Sequence, residues 1–270
     1  MKTNHTRSRR VARMTLLTLA AGFQAAHLLT PVAAARTAPA APAPQVSPET
    51  VIATRTTDRI KNLSTTLVVK DDETNREELK KIGGAFATTY SVKRMSVAYQ
   101  YPNKARFEGK LAGLTALLVY NGNTKMFRVP IPLVGKKVLD VKGQPGQKQS
   151  LIDLGIFARD WLTTDWEPHF IGRQNGLDQY KLTQRDTDNT SYDLVWVNPK
   201  NYIIERRRSY NGERKLQKEI RFRSPVQIQP GIWVPTRIEV LNQFGKVGAV
   251  QTLVGTRVNA GVSDSLFQIG

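Results

Sequence analysis

From residue 95 to residue 258 the sequence is a succession of short, alternating, aromatic and β-branched segments separated by polar turns. Asn121-Gly122-Asn123, Asn198-Pro199-Lys200-Asn201, Asn211-Gly212-Glu213 and Gln243-Phe244-Gly245-Lys246 are turns of the kind that join neighbouring antiparallel strands. Segments such as 95–101, 104–110, 192–197, 203–210 and 233–242 carry the period-two pattern of a sheet with one buried face. Helix and strand do not alternate along the chain, which argues against a doubly wound parallel sheet. The expected fold class is α+β, mainly antiparallel β, with about ten or eleven strands joined as a meander.

Three stretches depart from that grammar. Ser47-Pro48-Glu49 is a helix start, with a capping serine, a first-turn proline and an acid at the positive end of the dipole. An apolar stripe then predicts a helix over 48–62, followed by a strand over 65–70. Residues 71–81 are charged and polar and fit either a short exposed helix or a loop, broken by Gly83-Gly84. Residues 150–162 have helical periodicity, with Leu151, Leu154, Ala158, Trp161 and Leu162 on one broad face and Ile152, Ile156 and Phe157 widening it. So much apolar surface on so short an element means burial on more than one side, and Gly155 is a point at which it can split.

The N-terminus reads as an export leader. Lys2, Arg7, Arg9, Arg10 and Arg13 precede an apolar run over 14–35 that ends in Ala33-Ala34-Ala35, the order of a secretory signal peptide cleaved before Arg36. Gln24, His27 and Pro31 interrupt the run and make it a poor permanent span. Residues 36–48 form an Ala/Pro spacer, and 49–270 are the expected folded domain, periplasmic or otherwise extracytoplasmic. Cysteine is absent, so disulfides, thiolate metal sites and cysteine nucleophiles are excluded, and core burial must hold the domain together. The formal charge is +18, and only five of the 40 basic residues lie in the leader. A basic surface outside the cytoplasm points to acidic polymers or anionic headgroups before nucleic acid.

Two stretches carry a resemblance. Tyr99-Gln100-Tyr101-Pro102-Asn103-Lys104-Ala105-Arg106-Phe107-Glu108 is a strand ending in a Pro-Asn corner, followed by a strand that opens with basic and aromatic residues. Leu117-Leu118-Val119-Tyr120-Asn121-Gly122-Asn123-Thr124-Lys125-Met126-Phe127 is an apolar strand running into a glycine hairpin. Together with the order of elements over 49–270 they resemble the periplasmic lipoprotein-carrier family, LolA and its relatives. The resemblance implies a strongly curved, incomplete β-barrel whose apolar concave face is covered by helices, with 150–162 as the lid and the N-terminal helix as further cover. It implies a ligand-binding set of Leu117, Val119 and Phe127 from the strands and Leu151, Leu154, Phe157, Trp161 and Leu162 from the lid. It also implies a lid fastening near the corner proline. Family members place an arginine immediately before that proline. Here Tyr101 stands there, and Arg106 is the nearest arginine beyond, which leaves Tyr101 and Arg106 as the lid-contact candidates.

The inventory offers little for catalysis. His169 is the single histidine after the leader and has no orienting motif around it, and no Gly-x-Ser-x-Gly elbow is present. Asp153, Asp160, Asp165 and Glu167 read as lid and turn solvation, since nothing fixes a pair at working distance. Asp186, Asp188 and Asn189 have partial calcium spacing without the glycine and distal glutamate of a calcium loop. Arg206 and Arg208 share one strand face while Arg207 takes the other, and Arg221 and Arg223 repeat the pattern on the next strand, a convex stripe suited to anionic headgroups. The expectation is therefore a non-catalytic, cofactor-free, metal-free monomer that binds lipoprotein acyl chains or lipids. The alternative is an envelope protein-interaction or stress-sensor domain of the RseB type on the same scaffold.

Overall fold

The computed structural model describes residues 46–129, 135–185 and 187–269, and for Ala85, Pro145 and Trp161 the backbone alone. The expected leader, most of the spacer and Asp186 lie outside the described residues.

Among the described residues, thirteen strands form one antiparallel sheet, two or three more than the sequence reading summed to. They are β1 (Asn62–Val69), β2 (Arg94–Gln100), β3 (Lys104–Leu111), β4 (Leu114–Asn121), β5 (Thr124–Arg128), β6 (Lys136–Asp140), β7 (Trp166–Gln174), β8 (Leu177–Gln184), β9 (Tyr192–Val197), β10 (Ile204–Tyr210), β11 (Leu216–Gln229), β12 (Ile232–Asn242) and β13 (Val247–Val258). The spatial order is 6-5-4-3-2-1-13-12-11-10-9-8-7. The first and last strands are thus neighbours at the centre, and two meanders run outward from them. The sheet is an incomplete barrel, open between β6 and β7.

This order has one geometric consequence. Residues 141–165 leave one edge strand and enter the other, so they must travel across the mouth of the curved sheet. Alternation decides which side chains meet them. In β1 every second residue from Leu63 to Val69 is buried, and the register carries that face through Tyr99, Ala105 and Tyr120 on one side and through Leu253, Ile238 and Phe222 on the other.

Among the described residues, three short α-helices flank the sheet. α1 (Pro48–Thr54) starts as expected, with Ser47 Oγ accepting from the Thr50 N–H, but ends well before residue 62. The Thr54 and Thr56 hydroxyls donate back to the Thr50 and Ile52 carbonyls, and the Thr57 backbone is taken by the crossing segment. Backbone groups captured in a ladder cannot continue a helix. In the stretch left open by sequence, a single 3-10 turn (Asp71–Glu73) precedes α2 (Arg76–Lys80), capped by Asn75, and α3 (Gly84–Thr89) follows. Leu79 of α2 is buried against the start of β13, where a Cβ at Gly248 would lie 3.0 Å from its side chain.

Candidate functional site

The crossing segment occupies the concave face. Its start is a capped turn: Ser150 Oγ accepts from the Ile152 N–H, and Asp153 Oδ2 accepts from the Ser150 N–H at 2.8 Å. The 3-10 turn Leu151–Leu154 then stops at Gly155, whose φ of 81° is left-handed. A Cβ at Gly155 would lie 2.4 Å from the Phe222 ring, so glycine is required there by both conformation and space.

Beyond Gly155 the expected helix is replaced by extended backbone. The Ile204 N–H donates to Gly155 O (2.8 Å), the Phe157 N–H to Tyr202 O (2.8 Å), the Thr57 N–H to Phe157 O (3.1 Å) and the Arg159 N–H to Thr57 O (3.0 Å). The segment is stitched on both sides, and a second 3-10 turn, Trp161–Thr163, follows. Its side chains fill the hollow. Leu151, Leu154, Ile156, Phe157 and Leu162 are buried, and Phe157 stacks on Tyr180 at 4.8 Å. Each such burial contributes about 1.5–3 kcal/mol. Trp161 is placed by backbone only.

Three polar pairs pin the lid. The Tyr99 hydroxyl donates to Asp160 Oδ2 at 3.2 Å, and the same oxygen accepts from the Leu151 N–H at 3.1 Å. Arg207 reaches Asp153 Oδ1 at 2.7 Å and Asp193 Oδ2 at 2.6 Å. Lys148 donates to Asp165 Oδ1 at 2.5 Å and to Asn123 Oδ1 at 2.8 Å. Burial, and after it Asp160, pushes the Tyr99 phenol far above its ordinary range. Burial alone would lower the Arg207 guanidinium, but Asp193 and Asp153 outweigh it and raise it. Along the seam between lid and sheet lies a polar cavity of about 190 Å³, lined among others by Lys148, Ser150, Asp153, Asp193, Arg207 and Lys218. Burial, with Arg207 adding to it, lowers the Lys218 ammonium, which sits 4.8 Å over the Phe86 ring.

The strand residues named from sequence divide differently. Phe127 pairs with Leu118 and shares its concave face. Leu117 and Val119 do not. They point to the outer face, where with Met126 and Ala98 they hold the C-terminal 3-10 turn Asp264–Phe267, burying Phe267 completely. The concave residues of β4 are Leu118 and Tyr120. Arg106 is also outward: its Nη1 donates to Leu266 O at 3.0 Å and it pairs with Glu108, so it fastens the C-terminal turn and not the lid. The Tyr101 ring lies under Lys61, and the lid contact comes from Tyr99, two residues earlier. Sequence reasoning missed Tyr99, Arg207 and Asp193. The visible signal was an acid at Asp193 in phase with Val195 and Val197 on an otherwise apolar strand face.

Arg206, Arg208, Arg221 and Arg223 do share the convex face. Arg208 Nε and Arg221 Nε reach the single carboxylate of Glu219 at 2.5 and 2.6 Å, and Arg206 stands 3.8 Å from it. His169 bonds Thr183 on β8, and Asp188 and Asn189 lie in the turn before β9. Among the described residues no group of three acid, histidine or cysteine side chains is placed to hold a metal, and no helix is long and apolar enough to cross a membrane.

No family model matches the sequence, and no curated protein matches it. Solved structures do match. A LolA superfamily protein from Nitrosomonas europaea superposes with a TM-score of 0.51 at 18% identity, over 83% of this chain and 98% of that one. An outer membrane lipoprotein-sorting protein domain from Vibrio parahaemolyticus, described as putative, gives 0.43 at 13% over 82% and 94%. A DUF1329 family protein from Desulfovibrio piger gives 0.42 at 16% over 78% and 91%. The match to the first of these takes in nearly the whole of that chain. The chain's fold is similar to that of this LolA superfamily protein.

Proposed function

We propose that the chain is an extracytoplasmic, non-catalytic carrier or binder of acyl-bearing ligands, lipoproteins or lipids, acting as a monomer behind a cleaved leader. The observation that supports this reading is the lid itself. Leu151, Leu154, Phe157 and Leu162 occupy the concave face of an open sheet, and an acyl chain is a chemical substitute for what they contribute. Besides its backbone bonds to Thr57 and residues 202–204, the lid is held by discrete pairs, Tyr99–Asp160 and Arg207–Asp153, and opening it unravels no helix. Lifting it exchanges protein side chains for a ligand of the same polarity. Asp153, Asp160 and Asp165 are occupied in fastening, which supports a binding role over acid–base chemistry.

The test combines two measurements on the purified chain: mass spectrometry of an organic extract, and uptake of a fluorescent fatty acid. Tyr99→Phe removes one lid bond and keeps the ring. We expect a bound acyl species or probe uptake in the wild type, and faster uptake in Tyr99→Phe. A clean extract with no uptake by either protein would sink the carrier reading and leave the scaffold as an interaction domain.

A further inference from the structure

The face opposite the lid carries an arrangement that its own acids do not balance. On the convex side of β10–β12 the register sets Arg206 directly across from Arg221, and Arg223 directly across from Arg237. Like charges in directly opposed positions of an antiparallel pair destabilise it. Three carboxylates reach these arginines. Glu219 bonds Arg208 and Arg221, while Arg237 is bonded by Glu239 Oε1 at 2.9 Å and by Glu73 Oε2 at 2.6 Å. Arg206 and Arg223 are left with the longest separations, 3.8 Å to Glu219 and 4.0 Å to Glu239. These same two arginines line a cavity of about 130 Å³ with Trp196, Gln174, Asn175, Leu177 and Glu205. The Arg206 guanidinium lies 5.1 Å over the Trp196 ring, with Arg208 5.6 Å from the same ring, and Glu205 is engaged by the Asn198 side-chain amide at 3.3 Å.

We propose that this cavity is an oxyanion site for a phosphate group, with Arg206 and Arg223 as its two guanidinium donors and Trp196 as its floor. Two planar forks arriving from different strands present more N–H donors than a two-oxygen carboxylate accepts, whereas the oxygens of a phosphate mono- or diester match them. The site lies on the convex face and is independent of the acyl-binding reading. The same chemistry is offered by a lipid headgroup and by a soluble phosphate, and the experiment separates them.

The full chain is titrated with inorganic phosphate by calorimetry and tryptophan fluorescence. It is also floated with vesicles of phosphatidylcholine alone and of phosphatidylcholine with phosphatidic acid, at about 0.15 M salt. The variant Arg206→Gln/Arg223→Gln is compared with Lys200→Gln/Lys215→Gln, which removes the same charge from exposed turns. Binding of inorganic phosphate that falls about tenfold or more only in the arginine variant supports the site with a soluble source. Selective flotation with phosphatidic acid vesicles, lost only in the arginine variant, supports it with a headgroup source. Equal behaviour of the two variants, or no binding to either probe, overturns it. Circular dichroism and thermal melts establish that each variant is folded.

Discussion

One carboxylate, Glu219, is 5% exposed at its side chain and serves Arg208 and Arg221 at hydrogen-bonding distance. Burial works to raise its pKa, but the hydrogen bonds from those two arginines win and hold it below the ordinary 4.5. A carboxyl lowered by folding stabilises the native state fully above its unfolded-state pKa, and that contribution is lost as pH falls through the lower folded value. Glu219→Gln should therefore cost about 1–2 kcal/mol at pH 7, between an exposed pair and a buried charged hydrogen bond. The difference from wild type should shrink in acid, below the glutamate range. Urea titrations of both proteins at neutral and acid pH measure this, and a pH-independent difference would refute it. Arg206, Arg208, Arg221 and Arg223 were legible as one face because the charged strand alternates visibly. Leu117 and Val119 were not, because Leu117-Leu118-Val119-Tyr120 is apolar at every position and carries no phase. A one-residue slip reverses every side chain, and what sets the phase here is the remote C-terminal turn.

The lid shows the same limit for an element. The apolar residues of 150–162 point to more than one side because Thr57, residues 202–204 and the sheet border the segment, so their helical spacing reported burial and not backbone conformation. Gly155 marked the break in the sequence. Gly155→Ala places a Cβ against the Phe222 ring in a left-handed backbone and should cost more than about 1 kcal/mol, visible as a lower melting temperature. The lid's mobility has its own test. Thr57 and Ala158 are bridge partners, and a disulfide between Thr57→Cys and Ala158→Cys would tie the lid to the chain that follows α1. Probe uptake should stop in the oxidised double variant and return on reduction; unchanged uptake when oxidised means that the lid does not open at this point. The C-terminal turn is separable from the lid. Phe267→Ala empties a fully buried socket and should cost about 3 kcal/mol. Hydrogen exchange should then rise at 262–269 while amides of the lid stay protected.

Across the whole molecule, the meander was legible because turns and alternation are local signals, whereas the open barrel was implied only by the resemblance. The strand order was not legible, since it depends on the pairing of β1 with β13, which no local pattern announces. The order leaves β6 as an edge with all five residues exposed, including Val138 at 50% and Leu139 at 45%. Lys136 and Lys137 on that strand guard against pairing with another copy. Lys136→Thr/Lys137→Thr should shift the chain toward association at high concentration, measured by sedimentation velocity, and a purely monomeric variant would contradict this.

The central seam between β1 and β13 also bears on how such a chain is made. Each meander can zip from its own hairpins, but the ladder that unites them closes only when residues near 63 meet residues near 258. A polypeptide delivered N-terminus first, from a ribosome or through a translocation pore, keeps β1 without its second neighbour until β13 has emerged.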